Sequence, residues 1–327
     1  MRASTRSPTR VWTRPGEPGP TFGVYQLHEE LDSDEVSLVH RATEHGSQAP
    51  VALKRLRPQA AANRDALETF LADAKLSSQL RHPHIQQTHA YGKLGGTYFI
   101  VQEMIAGPTL HQVMVQSASS AGAVPLPIVV KLLVQLCDAL DYLHTRTAQI
   151  IHRDVAPTNV LVANTGSVKL TNFASAKVPG SPATGHGIIK GTLGYVAPES
   201  TFGHLDVRAD LFSLGVIAHE LLAGRPLFGR AKDYATMWRV REKPIQPPSR
   251  WNPHVSRDLD DIVLTALQRD PDLRWQNAAA MRFALNAIAE SFGAIDGKVI
   301  RDWTEWAFTK KPIRDTGLVR VLEEITA

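Results

Sequence analysis

Cysteine is almost missing from this 327-residue chain, with Cys137 standing alone. An intrachain disulfide is therefore excluded, which removes the small stapled secreted scaffolds and points to a reducing compartment. Cys137 falls within the apolar-periodic run from Val129 to Leu140 and reads as a small core hydrophobe. No apolar run approaches the roughly 18–20 residues that cross a bilayer, and no apolar core of a secretory signal follows the first residues. A cytoplasmic protein without membrane contact is the expectation. Acids are missing locally as well: between Asp154 and Glu199 there is not one Asp or Glu, whereas Lys169, Lys177 and Lys190 fall inside that interval. A divalent cation placed against that stretch would find no carboxylate in it.

What is present begins with Arg2, Arg6, Arg10 and Arg14 against one acid, Glu17, so residues 1–20 are read as a disordered basic tail. The net charge of +4 comes partly from that tail and gives no ground for a nucleic-acid partner. Over residues 21–105, short β-type runs (Val24 to Leu27, Val36 to His40, Val51 to Lys54, Tyr98 to Val101) surround one helical stretch, Asn63 to Leu80. Gly107-Pro108 breaks the chain. Over 106–288 the apolar residues recur at helical spacing, as in Val129 to Leu143, Ala209 to Leu222 and Asp258 to Gln268. Residues 289–327 form a further helical extension. The reading is α+β: a small β-rich lobe with one main helix, then a larger helical lobe, and ligand clefts commonly form at such junctions.

Five segments carry the chemistry: Val51-Ala52-Leu53-Lys54, Ile151-His152-Arg153-Asp154-Val155-Ala156-Pro157-Thr158-Asn159, Gly191 to Glu199, Asp206 to Val216, and Arg269 to Arg274. Singly, Lys54 could be a solvated strand-end lysine, Asp154 a turn former and Asn159 a capping residue. In this order and spacing, from Phe22 to Ile288, they resemble the bacterial Ser/Thr protein-kinase family, with its bilobal protein-kinase-like fold. The resemblance implies that Lys54 clamps nucleotide phosphates and pairs with an acid on the next helix, here Asp73. It implies that Asp154 stands at the position of the catalytic base and Asn159 at a metal-ligand position. Val39, Ala52 and Leu161 would sandwich an adenine, Glu103-Met104-Ile105 would be the linker beside it, and Gln102 the back wall. Glu199 would pair with Arg274, and Asp210 would hold the catalytic-loop backbone.

Against that pattern the departures are chemical. The glycine-rich loop is replaced by Leu31-Asp32-Ser33-Asp34-Glu35-Val36-Ser37, without a glycine, although backbone approach to phosphates favours glycine. Asp32, Asp34 and Glu35 would set carboxylates near the phosphates, where each unit-charge pair at 4 Å repels by about 4 kcal/mol at an effective dielectric near 20. A solvated acidic hairpin that tolerates ATP is the alternative. Asn172 takes the place of the metal-binding Asp in Lys169-Leu170-Thr171-Asn172-Phe173-Ala174, offering an oxygen dipole without charge. Ala174 replaces a hinge-like glycine, Ala156 a phosphate-facing lysine, and Asp73 a glutamate, one methylene short of Lys54.

The expectation is a pseudokinase: a kinase-fold scaffold or allosteric regulator of a protein partner, an active kinase or its substrate. No metal and no cofactor are expected, with a metal-independent grip on ATP as the exception. The alternatives are a weakly active Ser/Thr protein kinase using ATP and Mg²⁺, and a nucleotide sensor indifferent to metal. His82 and His84 flank Pro83 and read as a turn rather than metal ligands. Ser175, Ser181, Thr184 and Thr192 are candidate phosphoacceptors near Lys177, Lys190 and Arg153. Trp303, Trp306 and Phe308 beside Lys310, Lys311 and Arg314 read as an amphipathic layer on the large lobe, with a partner-docking surface as the alternative.

Overall fold

The structure is a computed structural model, and it describes residues 19–177, 191–202, 205–229 and 234–310. The basic tail up to residue 18, Ser181, Thr184, Lys190 and everything after Lys310 lie outside the described residues. The chain divides into two compact units between Ala106 and Gly107.

The first unit is a six-stranded antiparallel sheet in the order β1-β2-β3-β4-β6-β5. Its strands are β1 (Thr21–Phe22), β2 (Tyr25–Ser33), β3 (Ser37–Glu44), β4 (Pro50–Leu56), β5 (Thr88–Leu94) and β6 (Thr97–Glu103), with helices α1 (Pro58–Ala61) and α2 (Arg64–Ser77) between β4 and β5. Asn63 starts α2 by accepting a hydrogen bond from the Ala66 amide at 3.1 Å, which satisfies one of the helix's free N–H groups. Both sheet faces are buried, Leu56 and Ile100 against Phe70 and Ala74 of α2 on one side. Leu27, Ala42, Leu53 and Val101 lie on the other, beneath Phe22, Tyr25 and Phe99. β5 was not legible as a strand because Thr88–Leu94 carries Gly92 and Lys93 and forms a mostly exposed edge.

The second unit is mostly helical. Its helices are α3 (Leu110–Gln116), α4 (Leu126–His144), α5 (Arg208–Ala223), α6 (Tyr234–Glu242), α7 (Arg257–Ala266), α8 (Ala278–Ser291) and α9 (Gly297–Thr309), and it has one two-stranded ribbon, β7 (Val160–Val162) with β8 (Val168–Leu170). α5 is buried almost all round, as a central helix must be. Gly215 on it has no room for a side chain, because a Cβ there would meet Ala266 at 2.8 Å and Leu267 at 3.2 Å. α8 crosses the boundary expected at 288 and ends at Ser291. α9 packs on α3, where Gln116 Nε2 donates to the carbonyls of Ala307 at 2.9 Å and Lys310 at 3.0 Å at the helix end. The α+β expectation of a β-sheet lobe and a helical lobe is met. No helix among the described residues is long and apolar enough to cross a membrane.

Candidate functional site

In the first unit, strand register sets the candidate residues side by side. Val39 is opposite Lys54 and Ala52 opposite Gln102, so with the two-residue period all four share one sheet face. Lys54 Nζ lies 3.1 Å from Asp73 Oδ2, and Asp73 is only 1% exposed. The shorter acid thus still reaches the lysine. Asp73 is kept in place by α2 itself, where Ser77 Oγ donates to its backbone carbonyl at 2.7 Å and also meets Thr88. Glu103 is bonded into the sheet edge: its carboxylate accepts from the Gln87 amide at 3.2 Å and its carbonyl from Gln86 at 3.0 Å. Ile105 is buried next to it.

The glycine-free hairpin closes by different means. Asp34 Oδ1 accepts from the amides of Val36 at 2.8 Å and Ser37 at 2.5 Å, while the Asp34 carbonyl accepts from Arg57 Nε at 2.7 Å. Asp34 is therefore a turn former whose carboxylate folds back on its own loop. Leu31 to Val36, including Asp32 and Glu35, are exposed. Ser37 is buried in the turn.

In the second unit, Asp210 on α5 organises the catalytic loop. It is 0% exposed and accepts from the amides of His152 at 2.8 Å and Arg153 at 2.9 Å and from His144 Nε2 at 2.9 Å. Burial alone would push its carboxyl up, but the His144 bond, the neighbouring imidazoles and the His152 amide hold it below the ordinary range. The loop needs this anchor, since Arg153 has φ +67°, a conformation unfavourable for a side chain of its size. Gly191 passes close by with φ +107°, and a Cβ there would stand 2.5 Å from the Arg153 carbonyl oxygen. Arg274 anchors a different part of the same unit. Its forked guanidinium meets both Glu199 oxygens at 2.7 and 2.9 Å and also donates to the carbonyls of Gln268, Arg208 and Arg269. All five of its N–H groups are used.

The motif positions meet on the other side of the loop. Asp154 Oδ1 accepts from the Thr192 amide at 2.9 Å and its hydroxyl at 3.0 Å, and Oδ2 accepts from Asn159 Nδ2 at 2.8 Å. Asn172 Nδ2 in turn donates to Asn159 Oδ1 at 3.1 Å. His152 stacks edge-on against Phe173 and bonds the Thr171 carbonyl at 3.1 Å. Ala156 is fully buried and Ala174 half-buried. Leu161 lies half-buried on β7. Thr192, read as a phosphoacceptor candidate, has its hydroxyl committed to Asp154. His82 and His84 do form a turn, the His84 amide donating to His82 Nδ1 at 3.2 Å.

Mg²⁺ takes oxygen ligands, with one or two carboxylates among them. Here the Asn159 oxygen already accepts from Asn172, and both Asp154 oxygens accept protein hydrogen bonds. No group of three His, Cys, Asp or Glu able to hold a metal occurs among the described residues. This donor set does not fit a magnesium site. A separate, mostly apolar cavity of about 190 Å³, lined by Met114, Val115, Val124 and Leu221 among others, includes none of the motif residues.

Geometry and motif order now meet the comparison with known proteins. The model of the protein kinase domain matches residues 25–285. The chain belongs to the protein kinase family. It is 32% identical over 300 residues to the serine/threonine-protein kinase PknB of Mycolicibacterium smegmatis, covering 89% of this chain and 47% of the relative. It is 31% identical to the tyrosine-protein kinase MasK of Myxococcus xanthus, covering 81% and 43%. PknA of Mycobacterium tuberculosis is 31% identical, covering 81% and 61%. The chain thus spans about half the length of the curated relatives it matches. Among solved structures, the PknI kinase domain of Mycobacterium tuberculosis superposes with a TM-score of 0.62 at 28% identity, over 83% of this chain and 98% of that one.

Sequence reasoning missed the roles of His144, Thr192 and Asp34. His144 and Thr192 lie far in sequence from the carboxylates they serve, and the Asp34 turn had a local signal, an Asp within a polar loop, that was read only as charge.

Proposed function

We propose that this chain acts as a kinase-fold scaffold or allosteric regulator of a protein partner, an active kinase or its substrate, in the cytoplasm, and transfers no phosphate. The observation that carries this reading is the Asn172–Asn159 bond: where phosphoryl transfer depends on metal ions neutralising developing charge, this corner offers two neutral amides already bonded to each other. The hairpin without glycine, closed by Asp34, adds to it.

A second reading, a weakly active Ser/Thr kinase, is favoured by the intact Lys54–Asp73 pair and by Asp154 at the base position. A third, a nucleotide sensor, draws on the apolar Val39 and Ala52 beside Lys54. Thermal unfolding with ATP, with and without millimolar Mg²⁺, separates the three. A ligand at 100 times its Kd stabilises by about 2.7 kcal/mol, so binding is visible. No shift supports the scaffold, an equal shift without metal the sensor, and a Mg²⁺-dependent shift the kinase. Transfer of phosphate to itself or to a generic protein, abolished by Asp154→Ala, overturns the proposal.

A further inference from the structure

The orientation of the amides at the catalytic loop is forced by chemistry. Asn159 Nδ2 lies 2.8 Å from the Asp154 backbone carbonyl and 2.8 Å from Asp154 Oδ2, and both are acceptors. The amide nitrogen must therefore face Asp154, and Asn159 Oδ1 must face the other way. There it meets Asn172 at 3.1 Å, and of the two ends of that amide only the N–H can satisfy it. A carboxylate at position 172 would set oxygen against oxygen, close to the charge of Asp154, a repulsion that a cation between the groups would relieve.

We propose that Asn172 is a positioning residue that replaces a cation. Its amide proton bridges the end of β8 to the catalytic loop, and the corner keeps its arrangement with neither metal nor nucleotide. The bond series runs from Asn172 through Asn159 to Asp154 and on to Thr192, next to Gly191. Ile151, at the start of the catalytic loop, and Lys177 add paired backbone bonds of 3.0 and 2.8 Å. A partner that docks on this unit meets a surface that Mg²⁺ does not rearrange. This rests on the reading of the corner as unfit for metal and deepens it, turning a lost ligand into a gained latch. The backbone favours the test, because Asn172 has φ +65°, which Asp tolerates as Asn does.

The experiment is thermal unfolding together with amide hydrogen exchange of the purified full chain, without nucleotide, in EDTA and then in millimolar Mg²⁺ or Mn²⁺. The wild-type chain is expected to unfold at the same temperature in both, with equal protection at Asp154, Asn159 and Thr192. Asn172→Asp should fall by about 3 °C in EDTA, exchange faster at those amides, and recover both properties on adding metal. Asn172→Leu should fall and stay low in either buffer. A wild-type chain stabilised by metal alone overturns the proposal without any variant. So does an Asn172→Asp chain that matches wild type in EDTA, or one that falls but is not recovered by metal. Phosphotransfer is measured separately: a metal-indifferent wild type that nonetheless transfers phosphate keeps the latch and removes the scaffold reading, and the reverse pair of results does the opposite.

Discussion

Asp210 bonds the backbone of the catalytic loop and Asp154 is part of that loop, and the two carboxylates are satisfied in different ways. Asp210 is wholly buried, and its charge is met by two backbone amides and His144. Arg274 with Glu199 follows the same rule nearby, a buried cation matched by a carboxylate and three carbonyls. Asp154 is half-buried, bonded to Thr192 and to an amide that is itself bonded to another amide. Both carboxylates thus accept backbone amides, and they differ in the rest: a buried imidazole for Asp210, a hydroxyl and a side-chain amide for Asp154. The two therefore differ in what holds them: Asp210 of α5 fixes the loop backbone at His152 and Arg153, and the amides of Asn159 and Asn172 tie the loop to the stretch that follows β8.

Breaking the anchors should cost the most. Arg274→Ala leaves Glu199 and three carbonyls without their donor, and truncating one partner of such a pair costs about 3–5 kcal/mol. Urea unfolding should show it as a large fall in midpoint, and a fall under about 1 kcal/mol would remove Arg274 from the anchors. Asp210→Asn keeps the shape but gives up one acceptor oxygen and the charge, for an expected loss of about 2 kcal/mol. The same variant sharpens the comparison through pH. Because Asp210 in the folded chain is held below the ordinary carboxylate pKa, its contribution is complete above about pH 4 and is lost as pH falls through the lower folded value. Asp210→Asn should flatten that part of the acid-unfolding curve, and an unchanged slope would contradict the assignment. The chemistry side should respond least. Thr192→Val removes one hydroxyl donor to Asp154 while the backbone donor stays, so about 1 kcal/mol is expected. Equal losses for Thr192→Val and Asp210→Asn would erase the contrast between the two sides.

Much of the fold was legible because its signals are periodic or local. The runs read as Val129 to Leu143 and Ala209 to Leu222 became α4 and α5 with ends shifted by at most a few residues. Asn63 marked the start of α2 as a capping side chain does. Edge strand β5 carried no such signal, and the end of α8 at Ser291 was hidden in an alanine-rich run. At the site, the identity of Asn172 and the lack of acids around it were plain. Its partner was not, since Asn159 lies 13 positions away. The hairpin shows the reverse: the charge of Asp34 was plain in the sequence, and the structure adds that its carboxylate also closes the turn.

The sequence by itself determined the family, the order of the motifs and the absence of a carboxylate at position 172, because residue identity and spacing are fixed along the chain. Only the tertiary structure decided that Asp73 still reaches Lys54, that Thr192 serves Asp154 and that two amides close the metal corner on each other. Hydrogen bonds depend on direction as well as on residue type, and direction is set only when segments distant in sequence are packed together.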